Sequence, residues 1–384
     1  MIAATTPRSR LPGVGVSIFA EMTRLANERG AINLSQGFPD FDCAPELVAL
    51  VQAWLGRRVN QYAPMPGVLA LREAVSREIA RAYGASYDPG AEITITAGAT
   101  EGLFSTITAL VHPGDEVLLF EPCYDSYVPA VQLAGGVPRF VTLRAPDYRV
   151  DWDEVRRALS KSTRLVVINS PHNPTGAVFD ADDVAHLAAL LDGTPVVVAS
   201  DEVYEHLVFD GRRHESLARW PALAARTAVI GSFGKTFHTT GWKVGFVAAP
   251  AAISDEIRKV HQFVTFAVTT PVQHAYAEFL DRGVDFGEVT RFYEAKRDRF
   301  LELLAGSRFR PLPCRGTYFQ ILDYSAIASL PDREMALRVL ADHGVASIPT
   351  SAFLYQDEAP RVLRFCFAKT DETLERAAAR LRQV

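Results

Sequence analysis

At 384 residues the chain exceeds what one ordinary hydrophobic core supports and fits a large domain with a smaller one attached. Apolar residues make up 48% and charged residues 22%, the balance of a soluble globular protein, and a formal net charge of -5 argues against an electrostatic nucleic-acid footprint. Cys43, Cys123, Cys314 and Cys366 are scattered, with no C-x-x-C pair and no histidine at ligand spacing, so neither a metal site nor a disulfide framework is expected.

Arg8 and Arg10, near the start, are followed by no apolar leader core, and no run reaches membrane-spanning length, which makes the cytoplasm the expected compartment. A helix is predicted over residues 17–28, followed by a Gly- and Pro-rich extended arm over 32–40. Short apolar runs then alternate with helical patterns, at 92–96, 116–120, 165–169, 196–200, 228–232 and 244–249. Continuous apolar strands of this kind are buried on both faces, which predicts a mostly parallel sheet between helices with right-handed crossovers. One of the helices runs over 180–191, from an acidic turn to Asp192-Gly193. After about Gly287 the rhythm changes to a long charged helix (290–304), an extended run (316–322), an alternating strand (362–368) and a closing helix opened by Thr370-Asp371. The expected fold class is α/β, with a large domain over 46–287 and a smaller α+β domain over 288–384. Residues 1–45 are expected to form an N-terminal arm and part of the smaller domain.

In an open α/β sheet the ligand sits beyond the carboxyl ends of the strands. The 92–96 run ends in Gly98-Ala99-Thr100-Glu101-Gly102, a turn into a helix whose free N–H groups suit a phosphate. The next runs end in Asn169-Ser170-Pro171-His172-Asn173-Pro174-Thr175-Gly176, in Ser200-Asp201 and in Gly231-Ser232-Phe233-Gly234-Lys235. Each has a plain reading: a common Gly turn, a turn-forming Asn173 before Pro174, a helix cap at Asp201, a solvated Lys235. Their shared position at ligand-binding strand ends favours a joint function. A P-loop is excluded by spacing, since only Ser232 and Phe233 separate the two glycines before Lys235-Thr236. A dinucleotide fingerprint fails as well, because Gly98 and Gly102 lack the middle glycine. A lysine can condense with an aldehyde, and pyridoxal phosphate needs such a lysine, an acid for its ring nitrogen, a phosphate cup and hydrogen bonds to its phenolic oxygen.

At these residues the chain resembles the class I/II pyridoxal-phosphate-dependent aminotransferases of the aspartate-aminotransferase fold, fold-type I. The likeness rests on Asn60-Gln61-Tyr62, residues 95–102 and 169–176, Ser200-Asp201-Glu202-Val203-Tyr204, residues 232–236, Gly241-Trp242-Lys243-Val244-Gly245 and Arg364-Phe365-Cys366-Phe367. Through residues 33–41, Gln61-Tyr62-Ala63-Pro64-Met65 and 122–127 it is most similar to the methionine and kynurenine/glutamine aminotransferases.

The resemblance implies that Lys235 carries the cofactor as a Schiff base and moves the substrate's Cα proton. It implies that Asp201 pairs with the ring nitrogen, that Asn173 and Tyr204 bond the phenolic oxygen, and that Tyr124 stacks on the ring. Ala99, Thr100, Ser232 and Lys243 would hold the phosphate, joined by Tyr62 from the second subunit of a homodimer with shared active sites. Arg364, with the backbone at Gly37 and the amide of Asn173, would clamp the α-carboxylate of the amino-acid or 2-oxo-acid substrate; a structural salt bridge is the plain alternative for this arginine. Dicarboxylate-specific members bring a second arginine from the neighbouring subunit, and residues 263–270 contain none. Phe266, Ile18 and Phe19 instead suggest an apolar pocket. Ping-pong transamination is expected, with methionine the first donor and aromatic amino acids or glutamine next. The alternatives are a cysteine-conjugate β-lyase and a non-catalytic pyridoxal-phosphate sensor, the latter disfavoured because no winged-helix segment precedes the domain.

Overall fold

A computed structural model describes residues 7–356 and 360–384; the first six residues of the expected N-terminal arm lie outside the described residues. The apolar runs become the strands of a seven-stranded sheet. Thr163–Asn169 reads Thr-Arg-Leu-Val-Val-Ile-Asn and is buried everywhere except Arg164, which is partly buried, so both of its faces must be covered. The sheet runs Ile93–Thr96, Gly245–Ala248, Thr227–Ser232, Val197–Asp201, Thr163–Asn169, Glu116–Glu121, Val137–Thr142. Gly245–Ala248 is antiparallel to both neighbours and every other pair is parallel, as expected for a mostly parallel sheet.

The sequence reading omits Val137–Thr142. This strand lies at the sheet edge, contains Pro138 and alternates exposed and partly buried positions along most of its length, so it lacks the continuous apolar signal of its neighbours. The helix expected over 180–191 forms as Ala181–Leu191, with Asp180 as its cap: the Asp180 carboxylate accepts from the Asp183 N–H while Asp183 reaches back to Asp180. The helix Tyr127–Ala134 crosses over between the neighbouring strands Glu116–Glu121 and Val137–Thr142, whereas Gly98–Leu110 leads from the edge strand Ile93–Thr96 across the sheet to Glu116–Glu121; both helices start close to expected site residues.

A second sheet runs Ile348–Pro349, Val362–Cys366, Phe319–Asp323, Arg310–Pro311, antiparallel throughout. Helices Phe286–Leu303, Asp332–His343 and Asp371–Leu381 accompany it in the chain; the first starts four residues before the expected 290 because Asp285 caps the Gly287 N–H. Ser17 caps the helix Ile18–Arg29, and Ile32–Asn33 pairs in parallel with Val345–Ala346. One apolar cluster runs from Met22 and Leu34 through Leu103 and Ile230 to Phe319, Phe365 and Leu381, so the N-terminal segment, the large sheet and the second sheet share a core. Among the described residues no helix is long and apolar enough to cross a membrane, and no group of three His, Cys, Asp or Glu could hold a metal.

Candidate active site

The parallel strands end at one edge of the large sheet, and there the chain leaves a cleft of about 1000 Å³. At one end of it the helix Gly98–Leu110 starts directly after its strand, with Ala99 and Thr100 in the first turn. Gly98 has φ 72°, and a Cβ there would stand 3.3 Å from the Lys243 ammonium, so the glycine lets the cation close on the helix N-terminus. Lys243 Nζ donates to the Thr100 hydroxyl at 3.3 Å. Free helix N–H groups beside an ammonium form an anion nest, and Ser232 lines the same cleft.

Asp201 ends the Val197–Asp201 strand and is 3% exposed. It caps no helix. Its Oδ2 accepts from the Tyr127 hydroxyl at 2.6 Å and its Oδ1 from the Val203 N–H at 3.3 Å. Burial pushes its carboxyl up to about 6, against those two hydrogen bonds. Asn169 ties this strand end to the next loop: its Nδ2 donates to the Asp201 carbonyl at 2.9 Å and its Oδ1 accepts from the Asn173 N–H at 2.8 Å.

Lys235 sits in the single turn Phe233–Thr236 that follows the Thr227–Ser232 strand. It is no solvated surface lysine. Its Nζ donates to the Gly37 carbonyl at 3.1 Å and the Tyr318 hydroxyl at 2.8 Å, and desolvation brings its proton affinity down to about 8. Gly37 must lack a side chain, because a Cβ would meet the Phe319 ring at 2.7 Å. Tyr204 meets Tyr318 edge to face at 5.1 Å, and Tyr124 meets Tyr127 in the same way at 5.7 Å.

Arg364 is 1% exposed within the Val362–Cys366 strand. Its Nη1 donates to Asn173 Oδ1 at 2.7 Å and its Nη2 to the Ser35 carbonyl at 3.0 Å, while Nε has no partner. The guanidinium lies 3.9 Å from the Phe319 ring centre and 5.2 Å from those of Phe19 and Phe353. Burial lowers its proton affinity to about 10. Among the described residues no carboxylate lies within salt-bridge distance, so the ion-pair explanation for this arginine fails.

The cleft thus gathers the phosphate, ring and carboxylate candidates with Phe19 and Gly37. Ile18 packs against the core beside Phe19 without lining the cleft. Tyr62 and Phe266 stand apart. Tyr62 is 83% exposed, its ring meets that of Phe266 edge to face at 5.4 Å, and neither lines the cleft of its own chain. Sequence reasoning gave no role to Asn169, Tyr127, Tyr318 or Phe319. Asn169 and Tyr127 lie inside quoted motifs, whereas Tyr318 and Phe319 read as ordinary aromatic strand residues.

The arrangement fits pyridoxal phosphate on structural grounds: an anion nest that an added Cβ would invade, a desolvated lysine, a buried acid and an arginine with an orphaned N–H. The family model for aminotransferases of class I and II matches residues 29–381. The methionine aminotransferase of Escherichia coli K12 is 48% identical over 98% of both chains, and its crystal structure superposes with a TM-score of 0.97, covering 99% of this chain and 100% of that one. The kynurenine–oxoglutarate transaminase of Dictyostelium discoideum is 35% identical over 97% of this chain and 94% of that protein. The Thermus thermophilus aspartate aminotransferase with maleate is 30% identical, with a TM-score of 0.91 over 99% and 100% of the two chains. Sequence, fold and site agree: the chain belongs to the class I and II aminotransferases, enzymes that depend on pyridoxal phosphate.

Proposed function

We propose that this enzyme moves the amino group of a monocarboxylic amino acid, methionine first, to a 2-oxo acid in a ping-pong reaction. One observation carries the reading: Arg364 is buried without a carboxylate partner and faces the cleft that Lys235 enters. A guanidinium taken out of water needs an anion, and a substrate α-carboxylate supplies a planar, bidentate one. Pyridoxal phosphate, when bound, supplies the electron sink that stabilises the negative charge left at Cα.

The chain's own groups do the positioning. Asn173 gives Oδ1 to Arg364 and so keeps Nδ2 as a donor for the cofactor's phenolic oxygen, with Tyr204 beside it. Asp201 offers an acid for the ring nitrogen, Tyr124 a face for the ring, and Ala99, Thr100, Ser232 and Lys243 the phosphate cup. Lys235, with its proton affinity near 8, is partly neutral around that pH and is able to take the Cα proton and return it.

Arg364 is the one arginine lining the cleft among the described residues, and Phe19, Leu103, Val203 and Phe319 give it apolar walls. A second substrate carboxylate would be desolvated there without a partner. The 48% identity to an enzyme named for methionine supports methionine as donor, and the kynurenine transaminases support aromatic donors. We further propose a homodimer in which Tyr62 and Phe266 of one copy complete the cleft of the other. Residues 46–287 would form the cofactor domain and the remainder the smaller domain. A cytoplasmic location is in keeping with four unpaired cysteines.

The test is a screen of amino acids against several 2-oxo acids, following the oxo-acid product and any pyruvate released with ammonia. Methionine, phenylalanine and glutamine should serve as donors, with aspartate at least about 10-fold worse in kcat/KM. A preference for aspartate refutes the apolar pocket, and pyruvate with ammonia as the main products would assign the enzyme to β-elimination.

A further inference from the structure

Asp201 is held from outside the cleft. Tyr127 opens the helix Tyr127–Ala134, does not line the cleft, and is 3% exposed, as is Asp201. Its hydroxyl donates to Asp201 Oδ2 at 2.6 Å, the only hydrogen bond that hydroxyl makes among the described residues. The other carboxylate oxygen has, among the described residues, only the longer bond from the Val203 N–H at 3.3 Å. The same tyrosine ring braces Tyr124 edge to face.

We propose that Tyr127 is a positioning residue whose hydroxyl keeps Asp201 anionic and turned toward the cofactor's ring nitrogen. The inference rests on the role assigned above to Asp201. A carboxylate this deeply buried loses charge unless donors replace the water it has given up. Two charged groups also act on it, Lys235 favouring the anion and Glu202 opposing it, and Tyr127 supplies the short hydrogen bond. Burial pushes the Tyr127 phenol well above its ordinary range, so it remains a proton donor at any working pH and does not hand its proton to Asp201. A hydrogen bond to a charged group in such a site is among the stronger ones, and its loss favours the protonated acid. A protonated Asp201 leaves the ring nitrogen without its anionic partner.

Tyr127→Phe removes the hydroxyl and keeps the ring that braces Tyr124. The experiment loads the full-length enzyme with pyridoxal phosphate carrying ¹⁵N in its ring and reads the nitrogen chemical shift, which separates pyridinium from neutral pyridine. Wild type should show the pyridinium shift, Asp201→Asn the neutral one, and Tyr127→Phe a clear displacement toward neutral. Adding Tyr127→Phe to Asp201→Asn should change nothing further. In turnover, Tyr127→Phe should lower kcat roughly 10-fold, the size expected for one charge-assisted hydrogen bond, with KM within about twofold.

A wild-type nitrogen shift in Tyr127→Phe beside a neutral shift in Asp201→Asn overturns the role of Tyr127 alone. A wild-type shift in Asp201→Asn overturns the reading of Asp201 and the inference with it. Should Tyr127→Phe fail to hold the cofactor, fluorotyrosine at position 127 keeps the ring and the hydroxyl and makes the phenol a stronger donor: a ring nitrogen that stays pyridinium to higher pH than in wild type supports the proposal, and an unchanged nitrogen titration overturns it.

Discussion

The aromatic residues packed at and behind the cleft and those around Tyr62 meet opposite fates in the same fold. Tyr127, Tyr204 and Tyr318 are buried in the shared apolar core, and each is fixed by a hydroxyl contact, a ring contact or both. Tyr62, Phe263 and Phe266 are 83%, 85% and 43% exposed, with Val264 beside them at 51%. Phe266 moreover holds φ 67°, a left-handed backbone that a bulky side chain adopts only at a cost. Contiguous exposed apolar surface on a soluble protein marks a place meant to be covered. The contrast teaches that the groups lining the cleft are gathered within one chain while an apolar surface beside Tyr62 is left uncovered, the surface that the proposed homodimer would bury.

If the cleft groups are gathered within one chain, substitutions among them should cost the most. Asp201→Asn removes the acid for the ring nitrogen, and single-turnover deprotonation at Cα should slow roughly 10²–10⁴-fold, the span of lost acid–base assistance. A near-normal rate in stopped-flow measurements would leave Asp201 with a structural role only. Arg364→Lys keeps the charge and loses the fork, so kcat/KM should fall about 10- to 100-fold, in line with a charged hydrogen bond. Equal losses for amines that carry no carboxylate would make Arg364 structural.

Mixing subunits sharpens the other half of the comparison. Lys235→Ala and Tyr62→Ala chains, each nearly inactive alone, are unfolded together and refolded. Random pairing makes about half the dimers mixed, each with one intact site, so roughly a quarter of wild-type activity should return. No recovery, with mixed dimers shown to form, means that Tyr62 serves its own chain.

The smallest expected effect concerns stability. The Lys235 ammonium is depressed from 10.5 to about 8 in the folded chain, so the folded state binds fewer protons than the unfolded one between those values. Stability therefore rises with pH through that window, and below about pH 8 the charged lysine carries its full cost. Lys235→Met should raise the melting temperature of the cofactor-free protein at pH 7 by about 2 °C, with the gain shrinking toward pH 10. A gain independent of pH would point to packing instead of charge.

Much of the cleft was legible because its signals are local. Thr163–Asn169 and Val197–Asp201 are unbroken apolar runs that end in a polar residue, and such a run has few ways to be buried other than inside a parallel sheet. Arg364 announced itself by interrupting an apolar strand. Tyr127 and Tyr318 did not, since a tyrosine in an apolar segment looks the same whether its hydroxyl meets Asp201, Lys235 or water, and that choice is made by residues 74 and 83 positions away. The edge strand Val137–Thr142 was lost for the opposite reason: half-exposed, it needs no apolar run. Gly37 was found through the motif around it, while its physical reason, the Phe319 ring 2.7 Å from any Cβ, exists only after folding.

The most direct test is to reduce the enzyme with borohydride in the presence of its cofactor and map the labelled peptide. Pyridoxyl label on Lys235, absent from Lys235→Ala together with nearly all turnover, is the predicted result. Label on any other lysine, or full labelling and turnover in Lys235→Ala, would contradict the account.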